Sequence, residues 1–502
     1  MKQLSFENSP SIQAPSLTRQ LLVVAIPIVA TNLLQTLYNM VDTWFLGRLG
    51  AEALSAPSIT MNISNFLIVF GTGFSIAGTT LISQTYGADR NNRERIDFLA
   101  SQVFLINLVM SLVVVVLGTV LTGPLCSLLK VPAGLTYEYT YDYMSITFLG
   151  MPFMFVDMIL RGTLQGMGNS VTPLIVQTFA VLLNVVLDPI FIFGLGPVPA
   201  MGVAGAAIAT NIARFVSFSF GMYILLSGVK GLKVRAKYLK PDPGCYSLIF
   251  RIGFPAAIGQ AFSSLGFAVI QGVVNGFGPA VIAAFGVGNK ITSLFNMPAQ
   301  GISQGVAVVS GRKLGENKPK EAEKVVRIGL LIIGVFITLG MGFCFFFGHT
   351  LMRFFVDDPA VIAYGVQFFH VVTVSVAFFA LFTVICGAFQ GGGVTRPVMI
   401  FNIVRLWGIR VPFSYLLPLA FGLGPLGIWI AMFMSNFIVS IWAFLLFGTG
   451  KWKQRIDMSR VGVSARQTSA AKPASVAAVN QPCRIEDVSV RGNTSENVFP
   501  ER

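Results

Sequence analysis

The chain has 502 residues, 54% of them hydrophobic and only 11% charged, with 35 Lys and Arg against 21 Asp and Glu for a net charge of +14. Its mean hydropathy is +0.73. A soluble globular chain carries about 25% charged residues, so this one lacks the polar surface of an ordinary soluble multi-domain enzyme. Its excess of base is first a matter of membrane sidedness, and no nucleic-acid partner is inferred from it. The cysteines (Cys126, Cys245, Cys344, Cys386 and Cys483) are odd in number and scattered, which argues against a disulfide framework or a zinc site. With only His349 and His370 present, histidine chemistry has little to work with.

Apolar runs of about 20 residues, enough to cross a bilayer, predict twelve helices at 21–46, 58–84, 97–121, 140–163, 172–194, 202–226, 249–275, 281–310, 325–347, 362–388, 397–420 and 424–448. Pro27, Pro255 and Pro298 are candidate kink points. The first run lacks a basic leader and a small-residue cleavage site, so it reads as a span rather than a signal peptide. The connections alternate between two sides. One side collects 28 of the 35 Lys and Arg, whereas the other holds Arg48, Lys130 and Arg353. Both termini are therefore expected in the cytoplasm, with the chain in the cell (inner or plasma) membrane.

The expected organisation is a cytoplasmic N-terminus (1–18), an N-lobe of helices 1–6 (19–228), a cytoplasmic interlobe loop (229–248), a C-lobe of helices 7–12 (249–450) and a disordered cytoplasmic tail (451–502). The tail is rich in Ser, Ala, Val, Asn and Arg and shows no helical periodicity.

Shifting the chain by 228 residues places Pro27 on Pro255, Gly50 on Gly278, Ala56 on Ala284, Gly73 and Ser75 on Gly301 and Ser303, and Gly87 on Gly315. With a slight drift, Gly162 and Gln165 then meet Gly387 and Gln390, Pro173 meets Pro397, and Gly202 and Gly205 meet Gly424 and Gly427. Each half has an even number of helices, so both enter the membrane in the same direction. The fold class is thus an all-α polytopic membrane protein of twelve transmembrane helices. Its two six-helix lobes are related by a parallel pseudo-two-fold repeat about the membrane normal, an arrangement found in transporters.

Charged groups inside spans are costly and usually functional. Of the 21 acids, Asp42, Asp157 and Asp188 are read as lying within spans, all in the first half. On helix 1, Thr31, Gln35, Tyr38 and Asp42 share a narrow face with Pro27, widened by Asn32 and Asn39. On helix 5, Gln177, Asn184 and Asp188 share a face, the last two one turn apart. A polar stripe on a spanning helix must face protein or water. Counting residues from the span ends places Asp42, Asn184, Asp188 and Thr210 of helix 6 at similar depth, with no basic partner assigned to the carboxylates. This oxygen set suits a hard cation such as Na⁺ at Asp42, Asn184 and Asp188, and two neighbouring buried carboxylates equally suit H⁺. Gln35, Tyr38, Asn39 and Gln177 are candidates to line a substrate cavity. Asp157 stands one turn before Arg161 and reads as its structural ion-pair partner. Lys290, Arg405 and Arg410 are also read as structural.

In order and spacing, these features resemble the multidrug and toxic compound extrusion (MATE) family over residues 20–450. The motifs that carry the likeness are Pro27 with Asp42, Gln84-x-x-Gly87, Arg161-Gly-x-x-Gln165-Gly-x-Gly168 with Thr172-Pro173, and Gly202-x-x-Gly205-Ala-Ala-x-Ala-Thr210. The resemblance implies two six-helix lobes forming a V and export of amphipathic, often cationic organic compounds, driven by an H⁺ or Na⁺ gradient. Asp42 and Asn184-Val-Val-Leu-Asp188 match the branch with a cation site in the N-lobe. That branch implies bending of helix 1 at Pro27. The C-lobe acids of other members have no counterpart on helix 7 (Gly259-Gln260-Ala-Phe-Ser263) or helix 10.

The expectation is a secondary active multidrug efflux antiporter with no cofactor beyond its coupling ion, H⁺ or Na⁺. It acts as a monomer in the lipid bilayer on small-molecule drugs or toxic organic compounds. The alternative is a lipid-linked oligosaccharide flippase of related architecture, which needs a strongly cationic central cavity. An enzyme is not expected, since no His/Asp metal cluster, Walker A pattern or Ser/His/Asp arrangement appears.

Overall fold

The computed structural model describes residues 16–129, 131–195, 197–228, 231–458 and 461. Positions 1–15, Lys130, most of the expected tail and Cys483 lie outside them. No strand occurs among the described residues. The first half contains α1 (Leu17–Gly47), α2 (Ala51–Ala88), α3 (Arg93–Leu128), α4 (Leu135–Leu149), α5 (Met151–Gly166), α6 (Val171–Phe193) and α7 (Gly202–Ser227). The second contains α8 (Pro243–Asn275), α9 (Pro279–Gly315), α10 (Pro319–Phe346), α11 (Gly348–Phe355), α12 (Pro359–Gly391), α13 (Thr395–Ile403), α14 (Val411–Ala420) and α15 (Pro425–Gly448). A π-helical segment, Val404–Arg410, joins α13 to α14.

These elements form twelve membrane-spanning rods in two six-helix lobes. Ten of the rods, with α13 to α14 counted as one, are long and apolar enough to cross a membrane, and the bent α4–α5 pair makes another. The twelfth, α9, is 37 residues long. Gln300, Ser303 and Gln304 dilute its apolar content because they face a cavity between the lobes.

Pro27, Pro255 and Pro298 lie within uninterrupted helices α1, α8 and α9. A bend of 46° falls between α4 and α5. There the Asn211 side chain occupies the space beside Gly150, 1.8 Å from where a Cβ would stand, and its amide donates to the Ile146 carbonyl at 2.5 Å. Pro152, in the first turn of α5, also lacks an N–H to continue the ladder, and a proline or an inserted side chain is a recognised cause of bending. Asp97 and Asp142 also lie within helices, each in the first two turns or so of its element.

The internal repeat is visible in atomic contacts. At Gly73 in α2 a Cβ would stand 2.5 Å from the Gly253 carbonyl and 2.7 Å from the Ala257 methyl of α8. Its repeat-mate Gly301 in α9 lies against Val29 of α1, 2.3 Å from a methyl by the same measure. Ala257 and Val29 are themselves repeat-mates. Likewise Gly87 abuts the Arg312 carbonyl and Gly315 abuts the Gln84 carbonyl, each at 2.1 Å from an added Cβ. Two lobes therefore meet through equivalent surfaces, α1 on α9 and α2 on α8. Only glycine permits backbones this close, and close packing of small residues is a main source of helix association in a bilayer.

These contacts, together with the hydrogen bonds from Gln84 Nε2 to the Gly391 carbonyl (2.8 Å) and from Thr80 Oγ1 to the Gln390 carbonyl (2.9 Å), lie toward the end carrying the basic loops. The lobes are closed against each other there. The chain after α15 strengthens that closure, so the expected disorder does not begin at 451. Trp452 is fully buried and stacks on Phe447 with ring centroids 5.2 Å apart. The Ile456 amide donates to Gln84 Oε1 at 2.9 Å, and Ile456, Met458 and Val461 pack on the N-lobe core. Residues 462–502 of the expected tail lie outside the described residues.

Candidate functional site

Within the N-lobe, α1, α4, α6 and α7 bring together a polar cluster. Asp42 and Asp188 each stand five residues before the end of their helices. Asn184 and Asp188 occupy the buried face of α6 and are both fully shielded from solvent. The Asn184 amide donates to Asp188 Oδ1 at 2.9 Å. Tyr38, one turn before Asp42, donates its hydroxyl to Thr210 Oγ1 of α7 at 2.9 Å. Three buried oxygens of the cluster, Asp42 Oδ1, Asn184 Oδ1 and Asp188 Oδ2, accept no hydrogen bond. Buried polar atoms are rarely left in this condition without a ligand or water to complete them. The donor set is all oxygen, which fits a hard monovalent cation or a proton.

The cluster has two members that the sequence reading did not assign. Arg214, one turn beyond Thr210 on α7, acts electrostatically on Asp42 and Tyr38, so the carboxylates do have a basic neighbour in their own lobe. Its Nη1 is buried without a hydrogen-bond acceptor. Tyr143 of α4 also lies within electrostatic range of Asp42 and Asp188. Depth counting along single helices carries no information on which faces meet, so neither was assigned. The i, i+4 spacing of Thr210 and Arg214 was the available signal.

A second group runs inward from this cluster. Gln177 Nε2 donates to Gln35 Oε1 at 3.2 Å, and Arg161 Nη2 donates to Gln177 Oε1 at 2.6 Å. Arg161 also forms the expected ion pair with Asp157, which accepts from Ser217 Oγ at 3.2 Å. Gln35, Tyr38, Gln177, Asp157 and Arg214 line a small N-lobe cavity of about 60 Å³. Arg161 lines that cavity and the larger one between the lobes.

The larger cavity measures about 530 Å³, within the range of small-molecule sites. Both lobes line it, with amides from Asn32, Gln165, Gln260, Gln300, Gln304, Gln390 and Asn402 and aromatic rings from Phe267, Phe379 and Phe382. Of the residues selected as cavity candidates, Gln35, Tyr38 and Gln177 border the small N-lobe cavity instead, and Asn39 borders neither. Those candidates came from one helix face, whereas the large cavity forms where two lobes meet. Among the described residues lining it, the charged ones are Arg161 and Arg405.

A fold of two six-helix lobes around a central cavity, with buried carboxylates in one lobe, defines a polytopic membrane transporter. The MatE family model matches residues 27–190 and 255–416, two stretches that begin at the repeat-mates Pro27 and Pro255. The chain belongs to the MatE family. It is similar to the probable multidrug resistance protein NorM of Thermotoga maritima, with 29% identity over 92% of this chain and 98% of that protein. It is also similar to an FAD transporter of Shewanella oneidensis, with 26% identity over 82% of this chain and 89% of that protein. A solved outward-facing structure of a multidrug resistance MATE transporter shares the fold, with a TM-score of 0.79 and 22% identity, covering 87% of this chain and 97% of that one.

Proposed function

We propose that the protein is a secondary active multidrug efflux antiporter that exchanges amphipathic organic compounds for H⁺ or Na⁺. The observation that carries this reading is the group of unsatisfied buried oxygens on Asp42, Asn184 and Asp188. In this mechanism the coupling ion enters from the outer side and is held by those residues, with Thr210 fixed in place by Tyr38. Occupancy alters α1 through Tyr38 and Pro27. That proline leaves a gap in the helical ladder where bending is least costly. The line from Gln35 through Gln177 to Arg161 carries the change to the central cavity, from which the compound departs. The lobes then rock so that the basic end opens. With the basic loops in the cytoplasm, the state described here faces outward.

One charge moving through 100 mV supplies about 2.3 kcal/mol, enough for roughly fifty-fold accumulation. This reading sets no requirement for a cationic compound, because the charged residues lining the cavity are arginines. The same arginines are the feature shared with the flippase alternative, but one of them is already paired with Asp157. Likeness to multidrug resistance proteins, the monomeric state and residence in the inner or plasma membrane complete the proposal.

The test is efflux from proteoliposomes with pH and Na⁺ gradients imposed separately. One of the two gradients is expected to drive efflux, and Asp42→Asn and Asp188→Asn are each expected to stop it. Wild-type rates in both variants would remove the N-lobe site from the mechanism.

A further inference from the structure

Arg405 and Arg410 lie in the π-helical segment of the C-lobe, and both are almost wholly buried, at 3% and 2% exposure. Arg405 stands near the middle of the 26-residue span Thr395–Ala420. A buried charge normally finds an opposite charge. Here the carboxylates of the C-lobe helices are Glu321 and Glu323, in the first two turns of α10, already engaged by Lys313, Lys318, Arg327 and Lys453. The two guanidinium groups instead share one neutral acceptor. Arg410 Nη2 donates to Asn436 Oδ1 at 2.8 Å and Arg405 Nη1 donates to the same oxygen at 3.3 Å. Arg410 Nε donates to Ser435 Oγ at 2.9 Å.

Arg405 Nε is buried with no acceptor at all. Its guanidinium lies 4.7 Å from the centroid of Phe379 and 5.9 Å from those of Phe267 and Phe382. All three rings and Arg405 line the central cavity. Asp157 neutralises Arg161, the other cation there. The cavity therefore presents one uncompensated guanidinium, backed by a second, beside an aromatic wall. π-helical segments frequently mark functional sites. A guanidinium fork matches the geometry of carboxylate or phosphate oxygens.

We infer that the central cavity binds aromatic organic anions, with a carboxylate or phosphate group on Arg405 and the ring system against Phe267, Phe379 and Phe382. This rests on the reading that the central cavity is the substrate site. It names a class of compound for that site and does not depend on which ion drives export. Asn436 accepts from both guanidinium groups and holds them in register, and the ligand meets the part of Arg405 that lines the cavity.

The experiment compares equilibrium binding of flavin mononucleotide and riboflavin, which share a ring system and differ by the phosphate, to the full-length protein in nanodiscs. Flavin mononucleotide is expected to bind at least tenfold more tightly to the wild type, a comparison that needs no variant. Arg405→Gln is expected to bring the two affinities together, and Arg405→Lys to retain part of the preference. Asp188→Asn is expected to keep the preference while losing gradient-driven efflux. Equal wild-type affinities for the two flavins would overturn the anion assignment alone. Failure of both flavins and of ethidium to compete at the cavity would overturn the substrate-site reading beneath it. An unchanged preference in folded Arg405→Gln protein would place the anion elsewhere and overturn the inference.

Discussion

The Tyr38 hydroxyl donates a 2.9 Å hydrogen bond to Thr210, joining α1 to α7 one turn from Asp42. Both residues are buried, so removing either hydroxyl leaves the other without this bond. Tyr38→Phe and Thr210→Ala should each destabilise the protein by about 1 kcal/mol. The double variant should cost less than the sum of the two, because the same bond is lost in all three. Thermal unfolding of the four proteins in one detergent measures this cycle.

Asn184 restrains Asp188 through a single 2.9 Å bond from its amide. Asn184→Ala should leave a buried carboxylate with neither oxygen satisfied, costing about 1–3 kcal/mol. It should also raise the concentration of coupling ion that half-saturates transport. Asn184→Asp should be worse for transport than Asn184→Ala, since it adds a like charge one turn from Asp188. Initial efflux rates against pH and Na⁺ concentration separate the three proteins.

Arg214 acts electrostatically on Asp42, so under the proposed mechanism it would compete with the coupling ion for that carboxylate. Arg214→Gln should therefore strengthen binding of the coupling ion. A roughly tenfold fall in the half-saturating concentration corresponds to about 1.4 kcal/mol of relieved competition. Turnover should fall at high ion concentration, because release becomes slow. Direct ion binding and efflux measured on the same preparation test the two halves of the expectation.

Gly87 and Gly315 each lie against a backbone carbonyl of the opposite lobe, where a Cβ would meet oxygen at 2.1 Å. A backbone atom cannot step aside as a flexible side chain does, so Gly87→Ala and Gly315→Ala should each cost about 1–3 kcal/mol of lobe closure. The expected result is a larger population open at the basic end. Accessibility of a cysteine introduced at Thr80, which bridges to the Gln390 carbonyl, reports that population. The two variants should behave alike, because the repeat makes them equivalent.

Removing residues 451–502 should act in the same direction. The deletion takes away Trp452, fully buried on Phe447, and the amide of Ile456 that donates to Gln84. Gln84 also holds the Gly391 carbonyl across the lobe boundary. Lower thermal stability and greater labelling at the basic end are expected. Truncation after 461, which keeps these contacts, should leave both unchanged.

Much of the architecture was legible along the chain because a bilayer imposes length and polarity on every span. The twelve helices, the offset joining Gly73 to Gly301, and the pairing of Asn184 with Asp188 on one face are all local or periodic facts. The Asp157–Arg161 ion pair was equally legible, since i, i+4 spacing alone brings the two together. The bend at Gly150 was legible only in part: Pro152 stands two residues on, but Asn211, which donates to the Ile146 carbonyl there, is distant in sequence. The packing of Ile456 and Val461 was hidden for a related reason. Their apolar side chains are too few for a periodic signal and gain their partners only from the N-lobe.

The sequence by itself determined a membrane chain of two parallel halves and confined the intramembrane acids to the first of them. It could do so because charge and hydropathy act on each residue wherever its neighbours lie. Tertiary structure decided which charges meet. It set Arg214 within electrostatic range of Asp42, gathered amides from both lobes into one cavity, and left Arg405 facing that cavity without a carboxylate. Those outcomes depend on the rotation of one helix against another, which the packing of small residues such as Gly73 and Gly301 fixes and composition does not record.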